Sequence, residues 1–183
     1  MSKLCIFMAD GVEEVEALAV VDLARRAGID IDMVSIMGKM EIDGSHSIKI
    51  GADTLIEDIN PDDYDGLVCP GGLRGTNNLK ADDRVAELIR KFFAAGKLTA
   101  AICAAPTVLG AAGILEGKNA TCYPGCEDGL TGANKLTDKV VRDGSIITSR
   151  GMGTAVDFGL AIIEYFQDAQ AAADMAKKIV FSA

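Results

Sequence analysis

The chain is 183 residues long, the size of one domain spanning residues 1–183, and its 49% hydrophobic and 25% charged residues are the mixture of a core-forming protein, not a disordered one. Its 18 basic and 27 acidic residues leave a net charge of −9 at pH 7, with no local Lys/Arg cluster, which speaks against nucleic-acid partners. No apolar run approaches the ~20 residues of a membrane span.

Residues 4–8 read as a buried strand. The apolar stretch is too short for an export signal and runs into Asp10 and three glutamates, so a cytoplasmic location is expected. A helix over 13–27 follows, stopped by Gly28. Residues 31–36 form a second strand, and 40–50 carry hairpin signals around Asp43-Gly44. A strand over 65–69 ends at Pro70-Gly71-Gly72. The pattern Val85, Leu88, Ile89, Phe92, Phe93 predicts a helix over 82–95, before a strand over 98–102 and a helix near 105–112. After Gly117 come a strand over 120–122 and a loop-rich segment to Leu136. A hairpin pairs 140–141 with 146–148, and helices over 154–166 and 169–180 finish the chain.

Strands alternating with helices, with near-continuous apolar strands, predict an α/β architecture whose mostly parallel sheet is covered on both faces. Ligands of such folds gather at the carboxyl ends of the strands. Three loops leave predicted strands there: residues 9–12, 70–75 and 103–106.

Cys103 sits where a buried strand turns into a helix, with Pro106 suited to the first helical turn. A nucleophile elbow has this context, and the positive end of the helix would favour a thiolate; a core cysteine ending a strand fits the same residues. The glycines of the 70–75 loop free backbone N–H groups to face an anion or an oxyanion, although a tight turn needs them too. Glu16 shares its helix face with Ala19, Val20, Leu23 and Ala27, whereas Glu14 aligns with Asp22 and Arg25 on the polar stripe. A carboxyl group aimed at a core must be protonated or paired, and either state makes it an acid–base candidate. The one histidine, His46, lies on a polar turn and reads as a surface residue. Five cysteines, Cys5, Cys69, Cys103, Cys122 and Cys126, are an odd, unpatterned set that suits a reducing compartment. Cys122 and Cys126 alone are too few ligands for a structural zinc, so no metal is expected there.

Four motifs in order resemble the ThiJ/PfpI family, and within it the deglycase branch: Asp10-Gly11-Val12-Glu13-Glu14-Val15-Glu16, Pro70-Gly71-Gly72, Ala101-Ile102-Cys103-Ala104-Ala105-Pro106, and Thr148-Ser149-Arg150-Gly151-Met152-Gly153-Thr154. The resemblance implies a flavodoxin-like three-layer sandwich related to class I glutamine amidotransferases, and a homodimer with the 13–27 helix and the 150–154 loop near its interface. It also implies Cys103 as nucleophile, Glu16 as the buried acid bonded to its sulfur, and the N–H groups of Gly72 and Ala104 as an oxyanion hole. Many members carry a histidine before a proline some twenty residues after the nucleophile; here Tyr123-Pro124 stands there. A phenol, with a pKa near ~10, cannot replace imidazole as a base near neutrality. Two functions follow as expectations. One is a cofactor-free glyoxalase or deglycase acting on methylglyoxal, glyoxal or early glycation adducts; the other is an oxidative-stress sensor or chaperone built on an oxidisable Cys103.

Overall fold

The structure is a computed structural model that describes residues 2–182. Its strands are β1 (Lys3–Met8), β2 (Asp30–Ser35), β3 (Glu41–Asp43), β4 (Lys49–Gly51), β5 (Thr54–Leu55), β6 (Gly66–Cys69), β7 (Leu98–Ile102), β8 (Asn119–Ala120), β9 (Asn134–Lys135), β10 (Val140–Asp143) and β11 (Ile146–Ser149). The helices are α1 (Glu14–Arg26), α2 (Leu73–Ala81), α3 (Asp83–Ala94), α4 (Pro106–Ala111), α5 (Ala155–Phe166) and α6 (Ala169–Lys178). Seven strands form one sheet in the order β10-β11-β7-β6-β1-β2-β5, parallel throughout except for the β10–β11 hairpin at one edge.

The side-chain period of two makes this sheet the middle of three layers. Leu4, Ile6 and Met8 of β1 enter a core shared with Ala17, Val20 and Leu23 of α1 and with Phe158 and Ile162 of α5. Cys5 and Phe7 point the other way, into a core with Leu79 of α2, Val85, Ile89 and Phe92 of α3, and Val108 of α4. Both sheet faces are dry, which is why these strands read as unbroken apolar runs. No described helix is long and apolar enough to cross a membrane.

Four expectations need correction. Helix α2 starts within the 70–75 loop and runs on through residues to which no element was assigned: Gly75, Thr76, Asn77 and Asn78 are weak helix formers, and the segment is held by burial of Thr76 and Leu79. β5 was not expected; it is two residues long and pairs with β2 at the sheet edge. β8 lies at Asn119–Ala120, paired with β9, because the Thr121 amide turns aside to the Thr148 hydroxyl at 2.9 Å. Glu14 is buried, not on a solvent stripe: the turn after β3 folds over it, and its carboxylate accepts from the His46 amide at 2.7 Å, the His46 ring at 3.0 Å and the Ser45 hydroxyl at 3.1 Å.

Candidate active site

Four segments meet at the carboxyl ends of the central strands. β7 delivers Cys103, β6 delivers Pro70-Gly71-Gly72, the first turn of α1 delivers Glu16, and β11 leads into the 150–154 loop. Cys103 has φ 66°, a left-handed conformation that a non-glycine residue adopts only where its surroundings enforce it. They do so through two backbone bonds: the Cys103 amide donates to Ser149 O at 3.0 Å, and the Tyr123 amide donates to Cys103 O at 2.7 Å. The strand-to-helix elbow is thus present, with its sulfur only partly covered.

Glu16 is 1% exposed, at a position where helical periodicity aims it inward. Glu13 caps α1, its carboxylate accepting from the Glu16 amide at 2.7 Å, which fixes the turn that carries the side chain. The Glu16 carboxyl lies beside the Cys103 sulfur, close enough for each to perturb the other's ionisation, and takes the Gly71 amide on Oε2 at 3.0 Å. A Cβ on Gly71 would stand 2.5 Å from Cys103 Cβ and strike Glu16 Oε2, so only glycine lets acid and thiol meet. Gly72, at φ 86°, packs against the backbone of Gly11 and Glu13, and turns its own amide toward the sulfur, as the Ala104 amide also does. The structure therefore brings Cys103, Glu16, Gly72 and Ala104 together.

A preformed thiolate at a helix terminus is not what surrounds this sulfur. α4 begins at Pro106, three residues past Cys103, and has six residues, so its dipole is short and distant. Burial and the adjacent Glu16 carboxylate push Cys103 up to about 12, against the pull of the Gly72 and Ala104 amides. Burial lifts Glu16 to about 7, opposed by its bonds from Cys103 and Gly71. Neighbouring groups of like charge do not both ionise readily, so once the carboxyl group has lost its proton the thiol keeps its own. The arrangement is a thiol with its own base.

Tyr123 stands half-exposed beside Gly151, with Cδ2 3.3 Å from where a Gly151 Cβ would be; Glu16 Oε1 is 3.9 Å from the same point. Tyr123, Pro124 and residues 150–154 line an open pocket of about 380 Å³ next to the acid–thiol pair. His46 lies away on its turn, held by Glu14, and Cys126 is partly buried in the turn after Tyr123. The one described group of side chains close enough to share a cation is Glu13, Glu14 and His46, but Glu13 caps α1 and the Glu14 oxygens are engaged by His46 and Ser45. Sequence reasoning missed Gly71 as the donor that orients Glu16; its signal was the second small residue in the Pro-Gly-Gly turn.

Known proteins are similar to this chain in sequence and in fold. The chain is 38% identical over 183 residues to the protein dj-1beta of Drosophila melanogaster, covering 98% of each. The crystal structure of Drosophila DJ-1beta superimposes with a TM-score of 0.95 at 37% identity, covering 100% of both chains. DJ-1 homolog B of Arabidopsis thaliana is 37% identical over 180 residues, 97% of this chain but 41% of that protein, so the chain spans about two fifths of that relative's length. A Pyrococcus abyssi protein named a deglycase is 33% identical over 153 residues, 82% of this chain and 91% of its own. The DJ-1/PfpI family pattern itself matches residues 2–165. On fold and sequence alike, the chain belongs to the DJ-1/PfpI family.

Proposed function

We propose that the chain is a cofactor-free glyoxalase or deglycase that converts methylglyoxal, glyoxal or their early adducts into 2-hydroxy acids. One observation carries this reading: a buried carboxyl group meets a partly open thiol across Gly71, with two backbone amides facing the sulfur. The deglycase name of the Pyrococcus relative supports it.

With methylglyoxal, the Cys103 sulfur adds to the aldehyde carbon as its proton passes to Glu16. The oxygen that becomes negative is held by the Gly72 and Ala104 amides and takes that proton back from Glu16, completing a hemithioacetal and leaving the carboxylate free. Glu16 then takes the hydrogen from the former aldehyde carbon and a proton returns to the neighbouring carbon. This isomerisation moves no electrons to an outside acceptor and yields a lactate thioester. Water hydrolyses it, releasing lactate and restoring the thiol. Tyr123 takes no proton in this scheme, so the missing family histidine leaves it intact. Cys103→Ala and Glu16→Gln each abolish lactate formation from methylglyoxal, measured with a stereospecific lactate assay; turnover kept by either variant removes that residue's role.

A second reading has its own support. Cys103 is partly open while Cys5, Cys69 and Cys122 are buried, so peroxide reaches this sulfur ahead of those three. A sulfinate there would accept from the Gly72 and Ala104 amides and from protonated Glu16, as a stress sensor or chaperone requires. Intact mass after mild peroxide separates the two: a stable gain of two oxygens at Cys103 without dicarbonyl turnover favours the sensor. In either role we place the chain in the cytoplasm as a homodimer.

A further inference from the structure

Arg150 has no part in the steps above, yet it emerges beside the reacting sulfur. β11 and β7 are parallel neighbours, with Ser149 opposite Ile102, so Arg150 and Cys103 are the next residues out of two adjacent strands. The loop that follows is braced by Thr154, whose hydroxyl lies 2.7 Å from Ser149 Oγ, 3.1 Å from the Gly151 amide and 2.9 Å from Gly151 O. Among the described residues the Arg150 guanidinium has no hydrogen bond or ion pair, and its Nη1 is closed off from solvent without a partner. Arg74, Lys80, Arg90 and Lys178 also lack partners, but all four are exposed, where water solvates them. A guanidinium half-withdrawn from water with no acceptor is costly to keep, and its fork of N–H donors matches a carboxylate. It lines the same pocket as Tyr123 and Gly151, next to Glu16.

We propose that Arg150 is the anion-recognising residue of this pocket and that it takes a carboxylate carried by the carbonyl substrate. A dicarbonyl adduct on an amino acid fits, since its α-carboxylate stands a few atoms from the carbonyl that Cys103 attacks. Neutral methylglyoxal lacks that handle and is the poorer substrate. The inference rests on Cys103 as the reacting group but not on dicarbonyl turnover.

Two alkylating reagents test it without turnover. Iodoacetate and iodoacetamide react with the same sulfur and differ in charge, so the ratio of their rates at Cys103, read by peptide mass, cancels the ionisation of the thiol. Arg150→Gln lowers this iodoacetate-to-iodoacetamide ratio about tenfold, and Arg150→Lys retains most of it. In the wild-type chain alone, raising the salt concentration drives the ratio toward the Arg150→Gln value, a result that no misfolded variant can mimic. Equal ratios in wild type and Arg150→Gln, or a wild-type ratio indifferent to salt, overturn the assignment. A chain that makes no lactate but keeps the charge-dependent ratio retains the anion site and loses only the dicarbonyl reading.

Discussion

Glu16 shows how one residue couples stability to chemistry. Its value in the folded chain, about 7, lies above the 4.5 of an ordinary glutamate, so the folded state binds this proton more tightly than the unfolded state. The stabilisation is fully present below about pH 4.5, drains away as pH rises to about 7, and is constant beyond; the shift corresponds to about 3 kcal/mol. Glutamine keeps the shape, still accepts the Gly71 amide and bears no charge. Glu16→Gln is therefore expected to match wild type near pH 5 and to exceed it at pH 8 by about 1–3 kcal/mol while inactive. Urea midpoints at the two pH values check this; a variant less stable than wild type at pH 8 contradicts the assignment of a costly buried charge. The direction of Glu16 could be read from Ala19, Val20, Leu23 and Ala27, because a helix face is a property of spacing. The state of Cys103 could not, because it depends on Glu16 from α1 and on the Gly72 amide after β6, and neither approach is written in local sequence.

At the scale of elements, the turn after β3 and the first turn of α1 are one electrostatic unit. Burial works against ionisation of Glu14, but the His46 ring, the backbone amides and the Ser45 hydroxyl hold it down at about 2. The bond that the His46 ring makes to the Glu14 carboxylate raises His46 above its ordinary 6.5 in return. Glu14 contributes stability above about pH 4.5 that is lost as pH falls toward 2, whereas His46 contributes stability below about pH 6.5 that is lost as pH rises through its elevated value. The latch is strongest between these limits. Glu14→Gln is expected to cost about 1–3 kcal/mol near pH 6, less at pH 9 and nothing near pH 2, followed by chemical denaturation across pH. A cost that does not vary with pH refutes the latch. The hairpin itself was legible from Asp43-Gly44, but its docking onto α1 was not, because the helical wheel that puts Glu14 beside Asp22 and Arg25 knows nothing of the turn that covers it. Helix α2 escaped for a related reason: its inward-facing Thr76 and Leu79 hold a segment that local propensity leaves undecided.

Over the whole molecule, apolar surface and charge oppose each other. Val15 and Leu18, one turn apart on α1, are 49% and 38% exposed, and Ile48, 54% exposed, sits on the turn bonded to the start of that helix. Large apolar side chains left in water on adjoining elements are the mark of a surface that pairs. The proposed homodimer covers this surface, yet each copy brings a net charge of −9, so the two copies repel at long range. Salt screens that repulsion without weakening apolar burial. Dimerisation is therefore expected to tighten as salt rises, the reverse of an assembly held by ion pairs. Replacing both Val15 and Leu18 with glutamate places uncompensated charge in the contact and weakens it about a hundredfold or more, because each carboxylate would have to lose its water. Sedimentation equilibrium at low and high salt measures both effects. A dimer that loosens with salt, or one indifferent to the paired substitution, would move the interface away from α1 and the β3–β4 turn. Glu16 lies one helical step from Val15, with the Gly71 amide and the cap from Glu13 fixing it from its own chain. The separated protomer of that variant should thus still alkylate at Cys103, which distinguishes a broken interface from a broken fold.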